Sequence, residues 1–315
     1  MKPRVLNAWP AKRRETDGNE VSVISLESTC PPGSIDVEGI FPAPGGEHLV
    51  HVVLRGLGLT MAEDEILVAD GLIRHFRVRR GQGEEPVSVE IRTEFPVKPD
   101  FSVTPGMPSR TDITFPREPL AALMSGRQII VDPGHGGRDA GVRGPVNLLE
   151  KDCALEVAKE LESLLRNAGA VPLLTRDSDL YLAPGSRLAG ILSGVRTSPD
   201  RRPTPLHPEL AVEIHMSGEK DPLARSYHCY FAEGCARAPV LAESIAAALN
   251  ERMGTAFPGL EKMESEGHGF PVVRIEPVCL THFADEANFR APLYRKRIAQ
   301  GIFNGIARYL RKGGQ

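Results

Sequence analysis

The stretch of this sequence richest in potential chemistry is Val131-Asp132-Pro133-Gly134-His135-Gly136-Gly137, where an apolar run enters a glycine-rich turn that carries one histidine. Glycine on both sides lets the backbone bend tightly and leaves the imidazole open to a ligand. Two further groups stand where an α/β sheet would gather ligands: Glu150-Lys151-Asp152 opens a helical pattern, and Glu213-Ile214-His215 closes a strand pattern. Strand ends and helix starts of such a sheet converge on one edge. Two histidines and one carboxylate there would hold zinc with an open fourth position, the arrangement of a catalytic rather than a structural ion. Each residue also has a plainer reading. His135 alone is a turn histidine, Glu150 a helix-start acid favoured by the dipole, and His215 a buried histidine with its nitrogens satisfied.

The elements that would position these residues are legible in the hydrophobic pattern. Gln128 to Val131, Ala170 to Thr175 and Leu210 to Ile214 read as strands, and Glu150 to Ala168 reads as a helix with Leu155, Ala158, Leu161 and Leu165 at helical spacing. Gly169 stands where a left-handed C-cap would. A second helix starts at Pro239 and presents Leu241, Ile245 and Leu249; a third shows Ile298, Ile302 and Ile306. These stripes are core-forming. The interval Arg196 to Pro208, with four prolines and three arginines, reads as an exposed loop. Strands alternating with helices predict an α/β domain.

Upstream, short β-like runs recur between turn residues: Val21 to Leu26, Ile35 to Ile40, Leu49 to Leu54, Leu72 to Val78, Val87 to Ile91 and Ile113 to Phe115. Their alternation predicts a small all-β, sandwich-like domain. The proline-rich segment Phe95 to Pro119 reads as irregular edges and an extended connection, and the pattern changes near Ser125. The expected division is residues 1–120 as the β-rich domain and 121–315 as the α/β domain, with a mixed sheet flanked by helices.

Residues 127–312 resemble the zinc amidases that include the N-acetylmuramoyl-L-alanine amidases. The resemblance is carried by Val131 to Gly137, Gly141 with Glu150-Lys151-Asp152, Leu174-Thr175-Arg176 followed by Asp179 and Arg187, Ile214-His215, and Pro277 to Leu280. It implies Zn2+ as cofactor with His135, Glu150 and His215 as its ligands. The implied activity is hydrolysis of the amide between N-acetylmuramic acid and L-alanine in peptidoglycan or a muropeptide. More faintly, Leu72 to Val78 and Val87 to Ile91 resemble the AMIN domain that precedes such amidases, which implies a cell-wall targeting role for residues 1–120; the competing reading is an ordinary β domain.

The family carries its acid/base glutamate in a Pro-x-x-Leu-x-Glu strand end. The run Pro277-Val278-Cys279-Leu280-Thr281-His282 puts histidine in that place, with Asn288 downstream where the family often has asparagine. Three readings follow: His282 is the catalytic acid/base group, Glu286 or Glu276 has taken over, or hydrolysis is lost and a zinc-holding wall-binding protein remains. A neutral imidazole suits proton transfer near pH 7, yet beside the ion it would also make a fourth ligand. Ser-Ile-His-x-Asn of the family is replaced by Glu213-Ile214-His215-Met216-Ser217. Arg176, Arg187 and Arg274 are candidates to hold peptide carboxylates, or are surface ion pairs.

The remaining features narrow the class. A net charge of −3, with 41% apolar and 25% charged residues, describes a globular protein without the basic excess of a nucleic-acid binder. Neither a transmembrane span nor a signal peptide is visible, although the family resemblance implies action at the wall outside the cytoplasm. Five cysteines without a repeated CxxC spacing read as buried thiols.

Overall fold

Strict alternation of apolar and polar residues along Val87 to Thr93 buries every second side chain, and the neighbouring run from Ile73 follows the same rule. The computed structural model describes residues 3–313 apart from 17, 44–46, 69, 82–85, 194–205, 255 and 265–266. The chain forms two compact units, Met1–Ala122 and Leu123–Gln315.

The first unit contains ten strands: β1 (Arg4–Arg14), β2 (Glu20–Ser28), β3 (Ser34–Ala43), β4 (Glu47–Arg55), β5 (Gly58–Leu59), β6 (Glu65–Leu67), β7 (Ile73–Arg79), β8 (Val87–Thr93), β9 (Asp100–Thr104) and β10 (Ser109–Pro116). They form two five-stranded sheets, ordered β5-β1-β2-β10-β9 and β3-β4-β8-β7-β6. Val23, Ile24, Leu26, Ile113 and Phe115 from the first sheet and Val50, Val52, Leu54, Phe76 and Ile91 from the second are almost wholly buried. Each such side chain contributes about 1.5–3 kcal/mol relative to exposure. Arg117 ties the sheets by donating to Ser22 Oγ at 2.8 Å and to the Asp70 carbonyl at 2.7 Å. The basic segment at the amino terminus is strand β1, and the proline-rich stretch holds β9 and β10 rather than an extended connection. The prolines up to Pro116 stand before, between and at the end of the two strands, where a missing N–H costs the ladder little, and Pro119 lies in the first turn of the helix that follows.

A short helix, α1 (Glu118–Met124), leads to the second unit, which contains β11 (Gln128–Pro133), α2 (Glu150–Asn167), β12 (Val171–Leu174), α3 (Arg187–Leu192), β13 (Pro208–Ile214), β14 (His228–Ala232), α4 (Ala238–Met253), β15 (Glu261–Met263), β16 (Val272–Glu276), α5 (Phe283–Phe289) and α6 (Pro292–Arg311). Its mixed sheet has the order β12-β11-β13-β16-β14-β15. β12, β11, β13 and β16 run parallel, whereas β14 is antiparallel to β16. α2 buries Val157, Ala158, Leu161 and Leu165 as the helical spacing requires, and Gly169 follows it at φ 89°. α4 and α6 approach closely because a Cβ on Gly305 would stand 2.3 Å from the Ile245 Cα. Of the proline- and arginine-rich interval, residues 196–205 lie outside the described residues.

This topology fixes the functional edge. After β11 the chain turns through α2 to β12 on one side, and after β13 it leaves toward β14 and β16 on the other. The carboxyl ends of β11 and β13 therefore flank a switch point, the usual ligand crevice of an open α/β sheet.

Candidate metal centre

His135 stands two residues beyond β11 at φ 60°, in the left-handed region. That conformation costs a residue with a Cβ about 1–2 kcal/mol, so surrounding groups must hold it. Two buried arginines do so. Arg176 donates to the carbonyls of Pro133 at 2.9 Å, Gly134 at 2.8 Å and Lys151 at 2.7 Å. Arg187 donates to Asp132 Oδ1 at 3.0 Å, to the Pro133 carbonyl at 2.9 Å and to the His135 carbonyl. The loop is also tied to the next strand through Gly134 N–H to the Ile214 carbonyl at 2.9 Å. A Cβ on Gly134 would fall 2.3 Å from the His215 ring, so only glycine lets the two histidines approach.

Glu150 occupies the first turn of α2, where the dipole favours an anion, and is 2% exposed. Its carboxylate is fully engaged. Oε2 accepts from Val142 N–H at 2.8 Å and lies 3.1 Å from His135 Nε2; Oε1 accepts from Met216 N–H at 2.9 Å and lies 3.0 Å from His215 Nδ1. Gly141, at φ 65°, turns the chain beside it, and a Cβ there would meet Glu150 Oε2 at 2.5 Å and His135 Cδ2 at 2.7 Å. Burial alone would push the Glu150 carboxyl up, but His135, His215 and the Val142 N–H outweigh it and hold the group well below the carboxylate range. Glu150 in turn raises His135 against the effect of burial.

Ligand atoms of His135, Glu150 and His215 lie within 4.8 Å of one another, and among the described residues they are the group of this kind able to hold a metal ion. The imidazoles meet edge to face with centroids 4.9 Å apart. Asp139 Oδ2 lies 2.9 Å from His135 Nδ1 but outside hydrogen-bond geometry, so that buried nitrogen has no hydrogen-bond partner. Two imidazoles crowded on one buried carboxylate, with a nitrogen left over, fit a borderline-soft divalent cation such as zinc.

His282 is not brought into this group. It precedes α5; its Nδ1 accepts from Arg225 Nε at 3.2 Å and lies 3.7 Å from Asp285 Oδ1. The run from Pro277 to His282 is not a strand: β16 ends at Glu276, and the six residues that follow turn the chain into α5. Glu286 is also committed elsewhere. It is fully buried and accepts from the N–H groups of Val146 at 2.6 Å and Leu148 at 2.8 Å and from Arg290 at 3.2 Å. Asn288 lies exposed on α5.

The acid at the strand end is Glu276. Ile275 pairs with Ile214 in the β13·β16 ladder and accepts the His215 N–H at 2.9 Å, so Glu276 and His215 follow side by side from adjacent parallel strands. Burial pushes the Glu276 carboxyl up and the Glu150 charge adds to this, while His215 and His228 oppose it. A half-buried carboxyl with a raised pKa at a ligand crevice has the properties of a general base. A sequence signal for it exists: Pro271-Val272-Val273-Arg274-Ile275-Glu276 has proline and glutamate at the Pro-x-x-Leu-x-Glu spacing, with arginine in the leucine place.

The three arginines offered by the sequence for substrate carboxylates or surface ion pairs all have partners within the chain. Arg176 and Arg187 hold the metal loop, and Arg274 pairs with Glu213 at 2.9 Å across β13 and β16.

Comparison with known proteins agrees with this geometry. Residues 129–308, more than half of the chain, match the N-acetylmuramoyl-L-alanine amidase family. The germination-specific N-acetylmuramoyl-L-alanine amidase of Bacillus subtilis is 30% identical over 211 residues, 62% of this chain and 85% of that protein. The N-acetylmuramoyl-L-alanine amidase LytC of the same organism is 27% identical over 191 residues, 59% of this chain and 36% of that protein, so the chain spans about a third of its length. The crystal structure of an N-acetylmuramoyl-L-alanine amidase from Clostridium difficile 630 shares the fold at a TM-score of 0.51 and 22% identity, covering 60% of this chain and 99% of that one. A glycine-held histidine after β11, a helix-start glutamate and a histidine after β13, in a chain that matches over this whole span, place the protein in the N-acetylmuramoyl-L-alanine amidase family.

Proposed function

We propose that this chain is a zinc-dependent hydrolase that cleaves the amide between the lactyl group of N-acetylmuramic acid and L-alanine, in peptidoglycan or its fragments. The observation that carries the reading is the convergence of His135, Glu150 and His215 at one crevice, with Glu276 on the neighbouring strand end. His135, Glu150 and His215 would hold the ion. Zinc, when bound, supplies Lewis acidity toward the amide carbonyl and makes water acidic enough to react near neutral pH. Glu276 then takes the proton of the attacking water and passes it to the departing L-alanine nitrogen. A carboxyl with a raised pKa is matched to that double duty, since it must accept the proton and give it up again.

The alternative of a wall-binding protein without turnover rested on histidine in place of the base. Glu276 weighs against it, because a carboxylate stands at the strand end that the family pattern describes. The test is direct. Zinc-loaded protein is incubated with purified wall, and new L-alanine amino termini are measured. Their absence across several walls and pH values overturns the reading.

The relatives that include proteins called cell-wall amidases support action outside the cytoplasm. For the all-β unit we retain a wall-contacting role, which co-sedimentation of zinc-free protein with purified wall tests: a variant chain without residues 1–120 should lose most of its binding.

A further inference from the structure

With Arg176 and Arg187 buried against the loop and Arg274 paired with Glu213, another cation at the crevice stands out. Arg138 lies three residues beyond His135, so its Cα is within about 10 Å of that ligand's. Its side chain is exposed, and its guanidinium carbon sits 4.3 Å from the centroid of the Tyr181 ring. Among the described residues no carboxylate pairs with it; the ring is its partner.

The platform under Arg138 is fixed to the metal loop. A Cβ on Gly136 would strike the Leu180 carbonyl at 2.2 Å and one on Gly137 would meet Tyr181 N at 2.8 Å, so the segment carrying Tyr181 is packed directly on the two glycines. Asp179 fastens that contact, accepting from Gly137 N–H at 2.7 Å and from Lys151 Nζ at 2.6 Å, while Lys151 also donates to the Gly137 carbonyl at 2.9 Å. A stacked guanidinium keeps its N–H edge free and loses less rotamer freedom when it binds, and its planar fork matches a carboxylate.

We propose that Arg138, seated on Tyr181, is a binding residue for a carboxylate of the wall peptide, holding the chain on the L-alanine side of the scissile bond. The proposal rests on the amidase reading above and adds a determinant of which peptides are taken. Its chemistry is charge recognition, so amidation of the peptide carboxylate should erase it.

Two probes separate the possibilities: N-acetylmuramoyl-L-alanyl-D-glutamate and its diamide. Zinc-loaded wild type should prefer the free acid by about five- to tenfold, mainly through KM, the size of a partly solvated charge-assisted hydrogen bond. R138Q should lose that preference with its zinc content intact, and Y181A should lose part of it. A preference retained in R138Q, or an equal loss on both probes, overturns the proposal. Calorimetric titration of E276Q and E276Q/R138Q with both probes gives the same comparison without turnover. Discrimination in binding without cleavage by wild type would sink the amidase reading and leave the carboxylate site standing; cleavage with R138Q indifferent to amidation would sink the site alone.

Discussion

The N–H of His215 donates to the carbonyl of Ile275 at 2.9 Å, and this one ladder bond sets which acid follows beside His215. It closes the β13·β16 pairing in the register Ile214 to Ile275, so the next residue of each strand, His215 and Glu276, emerges at the same edge. His282 emerges six residues later, at the start of α5, where Arg225 and Asp285 engage it.

The first prediction separates the two. E276Q should lower kcat by about 10²–10⁴-fold, the usual worth of a positioned general base, while its zinc content stays equimolar. H282Q should retain most of kcat and all of the zinc. Steady-state release of L-alanine amino termini, with metal analysis of the same samples, decides it. The opposite pattern would return the role to His282.

The reason the sequence points first to His282 is instructive. Pro271 and Pro277 both begin a stretch that fits part of the Pro-x-x-Leu-x-Glu pattern, six residues apart. The second keeps the leucine and loses the glutamate; the first keeps the glutamate and replaces leucine with Arg274, whose partner Glu213 lies across the ladder. Pattern alone weighs leucine against glutamate, whereas only the first lies in a strand, the second being joined to the β13 side by the single bridge of Cys279 with Ser217. The helices were legible because their apolar stripes are long, as with Ala158, Leu161 and Leu165 on α2, although Leu155 at the head of that stripe is only half-buried and Val157 takes its place in the core. Strand β1 was not, because its burial barely alternates and its lysines and arginines mask it: Lys12 pairs with Glu20, and Arg13 with Glu15 and Asp112. The glycine-rich loop was readable in the sequence, yet the arginines behind it, open there between substrate contacts and surface ion pairs, instead hold the loop carbonyls. A charge in the sequence does not say whether it faces outward, and Arg176 is completely buried.

A second prediction concerns Gly134. Its backbone does not need the left-handed region, so alanine is tolerated conformationally, but the new Cβ would sit 2.3 Å from the His215 ring. G134A should therefore push His215 aside without unfolding the unit. Zinc affinity should fall by roughly 10–100-fold, the range seen when the support of a ligand is disturbed, with the far-ultraviolet circular dichroism unchanged. Competition with a chelator measures it. Unaltered affinity would mean that His215 is not a ligand.

The thiols give a third. Cys153 and Cys229 are pushed up to about 12, first by burial and then by nearby carboxylates such as Glu156 and Glu261 respectively. At pH 8 roughly one part in ten thousand of each is thiolate, the reactive form. Cys30 and Cys235 are only partly buried. Iodoacetamide on the native protein should label Cys30 and Cys235 first, and Cys153 and Cys229 only after denaturant is added. Peptide mass mapping reads the order, and early labelling of Cys153 would contradict the packing of α2.

The fourth prediction tests the first unit through acid. Burial would raise the Asp112 carboxyl, but Arg110 at 2.8 Å, Ser25 Oγ at 2.7 Å and Arg13 at 3.0 Å from its oxygens outweigh it and hold the pKa below the ordinary value. These contacts join β1, β2 and β10. Because the folded pKa is depressed, the unfolded chain binds the proton more readily, so the stabilisation is fully present above the ordinary carboxylate pKa. It is lost as pH falls through the folded value. In D112N the amide cannot titrate and forms weaker bonds to the arginines, so the unit should be less stable at pH 7 yet lose less between pH 5 and pH 3. Urea unfolding followed by the fluorescence of Trp9, which pairs with Ser25 on β2, reports on this sheet. An equal acid-induced drop in the urea midpoint for both proteins would show that Asp112 carries none of the pH dependence.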